Sequence, residues 1–171
     1  MSNPSTIDGN SCTCIAVRHT RGRALRHTLR LLTTVCRPSP EALWAAIELQ
    51  PCDVVSWIFE HMEPRSTMTD ILTHALQANR PDIVGWVCQL DVDNEMREVQ
   101  FTVMAAESGS TEALRCLRGR GFAWDHRVLW VSIVYGHWDT AQWALLNDCP
   151  LGEGPMLRVL LLSLLRDIIH V

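Results

Sequence analysis

The chain has no lysine: all 15 basic residues among its 171 are arginine. No side chain can therefore accept ubiquitin or acetyl through a lysine amine. Acidic residues are missing between Asp8 and Glu41, where six arginines stand (Arg18, Arg21, Arg23, Arg26, Arg30 and Arg37), although the net charge of the whole is −4. That balance argues against a protein basic throughout. The first twenty residues hold no apolar run of secretory length. At the other end MLRVLLLSLLRDIIHV (156–171) is interrupted by Arg158, Arg166 and Asp167, too short and too charged to read as a membrane-spanning helix. Seven cysteines, an odd number scattered without a framework, fit free thiols in a reducing compartment. Phosphate-loop, dinucleotide-binding and glycine–serine elbow motifs are all missing. The expectation is a cytoplasmic protein with no catalytic residues, no cofactor and no metal.

Two local features bear on chemistry. Cys12-Thr13-Cys14 with His19 and Cys36 lacks the paired spacing that structural zinc sites use. The arginine segment 18–37 has three readings. It can be the polar face of a capping helix, an arm for nucleic acid or anionic membrane, or a mitochondrial-type presequence. It has no interleaved aromatics, which leaves nucleic acid weakly supported. Residues 1–22 are expected to be disordered, the first eleven being polar with Pro4 and Gly9.

What is present is a repeat. AAIELQPCDVVSWI (45–58), HALQANRPDIVGWV (74–87), MAAESGSTEALRCL (104–117) and VSIVYGHWDTAQWA (131–144) align without gaps. One column reads Trp57, Trp86, Cys116, Trp143, and an acidic column four residues earlier reads Asp53, Asp82, Glu112, Asp139. A small-residue column reads Ala46, Ala75, Ala105, Ser132, and a turn column reads Gln50, Asn79, Gly109, Gly136. Self-similarity at a near-constant period is the mark of a helical array. Each unit then reads as helix, tight turn, helix. The small residue permits close approach, and Gly109, Gly136 and Asn79 tolerate a left-handed turn. The acid suits the start of the second helix, and the Trp column packs that helix on its neighbour. Gln50 is the outlier among the turn residues. A period this short, in helical segments, excludes a WD-repeat propeller.

MAAESGSTEALRCL and YGHWDTAQWALL resemble the helix pair of the ankyrin repeat, and GFAWD and NDCPL resemble the inter-repeat loop of its shortened variant. That variant is met in large DNA viruses and protists. The common Thr-Pro-Leu-His opening is missing, and the projecting hairpin is short. The resemblance covers residues 41 to 153 and implies an all-α, ankyrin-like helix-turn-helix solenoid of about four repeats with incomplete end units. The array would run over 23–153 with an N-terminal capping helix, closed by an apolar capping helix at 154–171. It implies a non-catalytic scaffold that binds another protein, in host cytoplasm if the source is viral. His74, Gln77, Glu107, Ser108, His126, Arg127 and Trp130, on first helices and adjoining loops, are the candidate partner contacts. His137 is implied to tie adjacent loops together. Trp130 is expected to be half-buried, and Trp138 to be the exposed aromatic. Segment 156–171 is either a buried cap or a surface for self-association.

Overall fold

A computed structural model describes residues 16–18, 24, 27–28, 38–62, 67–90 and 98–152. Among the described residues all regular structure is helical: residues 16–18, 24 and 27–28, and from Pro40 onward four helix pairs. They are α1 (Pro40–Leu49) with α2 (Cys52–His61), α3 (Met68–Gln77) with α4 (Pro81–Gln89), α5 (Val99–Glu107) with α6 (Thr111–Gly119), and α7 (His126–Val134) with α8 (Trp138–Leu146). The chain divides into two compact units, residues 1–86 and 87–171, with the division inside α4. In the first unit α1 packs on α2 and α3. In the second α5 packs on α6 and α7, and α8 on α6 and α7.

Helix starts follow from side chains that satisfy the free N–H groups of a first turn. Ser39 caps α1, its hydroxyl accepting from the Ala42 N–H, and Pro40 fills the first helical position. Thr67 and Asp70 form a reciprocal capping box at α3. Ser110 caps α6 and Asp125 caps α7. The acidic column falls in the first turn of every second helix: Asp53, Asp82, Glu112 and Asp139.

The first helices end in one recurring turn. Asn79, Gly109 and Gly136 have φ of 50°, 68° and 76°. The next residue's N–H then closes back on the small-column carbonyl: Arg80 to Ala75 at 2.8 Å, Ser110 to Ala105 at 3.0 Å and His137 to Ser132 at 2.8 Å. This is the six-to-one closure that needs a left-handed residue before it. Gln50 departs from it, with φ −118° and its own N–H on the Ala46 carbonyl. The cause is Pro51, which stands where the closing donor should be and has no N–H.

The small column is sealed: Ala46, Ala75, Ala105 and Ser132 are each 0% exposed. So are Leu43, Ile71, Leu72, Val128 and Leu129 on first helices and Val55, Ile58, Leu114 and Leu117 on second helices. Burying one such side chain contributes about 1.5–3 kcal/mol, against about 1 kcal/mol for a turn hydrogen bond. The core therefore carries the stability and the turns set the geometry. Trp57, Trp86, Cys116 and Trp143 are half-buried, lying beside the sealed strip rather than in it. The fully buried positions of the second helices are the ones on either side, such as Val54, Val55 and Ile58 around Trp57. Of the segment expected to be disordered, 1–22, only residues 16–18 are described, and there the structure differs: they are helical, with Ala16 and Val17 buried and the Val17 carbonyl accepting from Gln50 Nε2 at 2.6 Å. Most of the capping helix and all of 154–171 lie outside the described residues.

Candidate functional site

First helices are held side by side by residues that reach back to the preceding turn. In the first unit Arg80 donates from Nη2 to the Gln50 carbonyl at 2.8 Å and from Nη1 to that of Ile47. It also forks onto Asp82, Nε to Oδ1 at 2.9 Å and Nη2 to Oδ2 at 2.7 Å. This guanidinium holds the Asp82 carboxyl below the usual carboxylate range. In the second unit His137 Nε2 donates to the Glu107 carbonyl at 2.9 Å. Thr140 donates to the Gly109 carbonyl at 3.0 Å, with its oxygen 2.8 Å from the Thr111 hydroxyl. Two faces result, one in each unit.

On the first unit α1 and α3 enclose a groove of about 320 Å³ lined by Trp44, Ile47, Glu48, His74, Gln77 and Ala78. Trp44 and His74 stack with ring centroids 4.1 Å apart and planes at 22°. Both rings are half-buried, while Glu48 and Gln77 are exposed at the rim. Of the seven candidate contacts, the structure brings these two, His74 and Gln77, together.

On the second unit α5 and α7 carry the other five. The Glu107 and Ser108 pair closes α5: the Glu107 side chain is exposed, and the Ser108 hydroxyl donates to the Ala105 carbonyl at 3.1 Å. His126 is exposed and lies under the backbone of Gly152, where an added Cβ would sit 2.8 Å from the His126 Cβ. Arg127 turns back onto Asp125, Nε to Oδ2 at 2.9 Å, across a surface pair. Trp130 is exposed at 42%, more open than its expected half-burial, and Trp138 at 50%. Val134 at 58% and Tyr135 at 62% are exposed as well, the Tyr135 ring parallel to that of His137 with centroids 6.4 Å apart. The repeat columns carry a signal for the exposed residues outside the seven: Glu48 and Val134 stand with Gln77 and Glu107, and Tyr135 with Ser108.

A second groove, of about 570 Å³, runs between α6 and α8, lined by Thr111, Glu112, Arg115, Asp139, Gln142 and Trp143. From Arg115 and Trp143 in its lining, a row of cations and rings continues beyond the groove. The Arg115 guanidinium lies 5.7 Å from the Trp143 centroid, and Trp143 meets Trp124 edge-on at 5.8 Å. Arg118 lies 4.3 Å over Trp124. These contacts are satisfied within the chain, and each is of the size that helps hold a helix pair.

Nucleophilic and metal chemistry find little here. Burial pushes the thiols of Cys88 and Cys149 up to about 11 and raises those of Cys52 and Cys116. A catalytic cysteine needs the opposite shift. The Cys149 thiol donates to the Asp125 carbonyl at 3.4 Å, tying one loop to the previous one. Among the described residues no group of three His, Cys, Asp or Glu side chains converges as a metal would require, and no helix is long and apolar enough to cross a membrane. Cys12, Cys14, His19 and Cys36 lie outside the described residues. So does the arginine segment, apart from Arg18, Ala24, His27 and Thr28. No family model, curated protein or solved structure matches the chain.

Proposed function

We propose that the chain is a non-catalytic protein–protein interaction scaffold of ankyrin-repeat type. Four helix pairs, three of them closed by the same left-handed turn and two tied back by the residue after it, support the repeat reading. The observation that carries the function is the surface of the last described pair. Trp130, Val134, Tyr135 and Trp138 stay open while Val128, Leu129 and Ala141 beside them are sealed. Several large apolar side chains crowded into one stretch of a well-packed helix pair mark a contact surface. The partner is another protein.

The test compares full-length protein with the variant Trp130→Ser, Tyr135→Ser after purification from the native cell at moderate salt. Loss of a co-purifying protein in the variant, at unchanged melting temperature, is the expected result. Recovery of nucleic acid or lipid alone, released by salt, would sink the scaffold reading and favour the arginine segment.

A further inference from the structure

We infer that the arginine-rich stretch belongs to a fifth helix pair, ahead of α1, which caps the array instead of hanging from it as an arm. Such a cap is needed whatever the array binds. Ala16, Val17 and Arg18 stand 30 residues before Ala46, Ile47 and Glu48, the spacing that also separates Ala75 from Ala105. At this place every first helix repeats one order: a small and an apolar residue buried, the next residue exposed. It reads Ala46, Ile47, Glu48; Ala75, Leu76, Gln77; Ala105, Ala106, Glu107; and Ser132, Ile133, Val134. Ala16, Val17 and Arg18 are helical and keep that order, with Val17 0% exposed. An arm in water has no means of sealing a valine. Ala24, His27 and Thr28, 30 residues before Val54, Trp57 and Ile58 of α2, are helical again. There the Thr28 hydroxyl donates to the Ala24 carbonyl at 2.8 Å.

Ala24, His27 and Thr28 are more open than their counterparts on α2. An end pair is covered from one side only, and a terminal repeat carries a polar outer face. A stretch with six arginines and no acid between Asp8 and Glu41 suits that face. The tie to α1 is of the kind found further along. Gln50 Nε2 donates to the Val17 carbonyl at 2.6 Å, and Arg80 Nη1 donates to the carbonyl of Ile47, the counterpart of Val17; both bonds span 33 residues. Carbonyls in the last turn of a helix have no partner inside it, and in both cases the following pair supplies the donor. Val17 and Gln50 are both buried, so breaking this bond would strand a carbonyl away from water. The same contact accounts for the residue type at position 50. Pro51 removes the closure that Asn79, Gly109 and Gly136 support, and an amide on a long side chain reaches the preceding pair instead.

The experiment exposes full-length protein to trypsin under native conditions and follows cleavage after Arg21, Arg23, Arg26, Arg30 and Arg37 by peptide mass spectrometry. The same chain in urea gives the unprotected rate. Native cleavage in the stretch should be slower by about a hundredfold or more, since a cut needs the pair to open first. Val17→Ala should speed it by about tenfold, the effect of removing two buried methyl groups. Ala16→Leu, too large for a small-column position, should act in the same direction. Val134→Ala, the same change at a valine 58% exposed, should leave the rate as it is. Native cleavage at the urea rate, or no change in either Val17→Ala or Ala16→Leu, overturns the inference. Acceleration that spreads to Arg115 and Arg120 supports it, because Val17 then belongs to the cooperative fold, as no arm does. No partner takes part, so the scaffold reading stands or falls separately.

Discussion

Arg80 and His137 occupy the same repeat position, one residue past a left-handed turn, and each bonds a backbone carbonyl thirty residues earlier. Arg80 reaches Gln50 at 2.8 Å, and His137 reaches Glu107 at 2.9 Å. Unlike residues solve the same problem. The carbonyls at the end of a helix have no partner within it, and a donor from the following pair satisfies them while fixing the spacing between first helices. Arg80 has the larger task because the turn before it lacks the closing N–H that Pro51 cannot supply.

Replacing Arg80 with alanine should therefore cost about 1.5–3 kcal/mol in urea unfolding, the range for hydrogen bonds that involve a charged group. The loss sits with the Ile47 and Gln50 carbonyls. Asp82 is 48% exposed, so water screens its part of the pair. Arg80→Lys should recover only part, since an ammonium cannot fork to both carbonyls and the carboxylate. The Asp82 carboxyl is depressed in the folded chain, so its contribution is present above the ordinary carboxylate range near about 4. It fades as pH falls through the lower folded value. Stability of Arg80→Ala relative to wild type should consequently narrow in acid. A constant gap from neutral pH downward would mean that the ion pair adds nothing.

Gly109 and Gly136 separate two reasons for glycine. Both have φ near 70°, but a Cβ at Gly136 meets nothing within 4 Å, whereas at Gly109 it would lie 2.5 Å from His137 Nδ1. Gly136→Ala should cost only the left-handed strain, about 1–2 kcal/mol. Gly109→Ala should cost more, because the imidazole that bonds Glu107 must also move. The extra loss should vanish in a His137→Ala background, as a double-mutant cycle would read it. Additive costs would show that the ring yields freely.

Much of the architecture could be read before any coordinates. The turn column placed the left-handed residues at 79, 109 and 136, and Gln50 stood out for the reason Pro51 supplies. Ser39 and Pro81 mark helix starts by side-chain chemistry alone. Exposure was harder to read. Spacing fixes where Trp57 or Trp130 points around its own helix axis, but coverage depends on which neighbour lies there. So the Trp column proved half-buried and Trp130 open. The Trp44–His74 stack and the Arg80 ties were hidden for the same reason: each joins residues about thirty apart, and an arginine or histidine reads locally as surface.

The thiols should report the packing directly. With values near 11, Cys88 and Cys149 hold about one thiolate in a thousand molecules at pH 8. An iodoacetamide pulse at that pH, resolved by peptide mass spectrometry, should leave both unmodified in folded protein and label both in denaturant. Cys52 and Cys116, half-buried and raised less, should label at intermediate rates. Labelling of Cys149 at the unfolded rate would show that its loop opens far more often than the sealed contact with Asp125 allows.

Asp148 offers a gain. It follows α8 with φ 61°, and the Cys149 N–H closes on the Ala144 carbonyl at 3.1 Å. One repeat earlier the same position is Gly121, φ 82°, with the Phe122 N–H on Leu117 at 3.1 Å. An aspartate here meets the left-handed penalty that glycine avoids, and its carboxylate stands at the negative end of a helix. Asp148→Gly should raise stability by up to about 1 kcal/mol, the backbone gain being partly offset by the greater freedom of glycine in the unfolded chain. Asp148→Asn removes the charge and keeps a residue that tolerates the conformation, so it isolates the helix-end effect. If the asparagine variant gains as much as the glycine variant, charge and not backbone strain is the defect at this turn. If glycine destabilises, the unfolded-state entropy outweighs the strain, and the equivalence with Gly121 is one of shape alone.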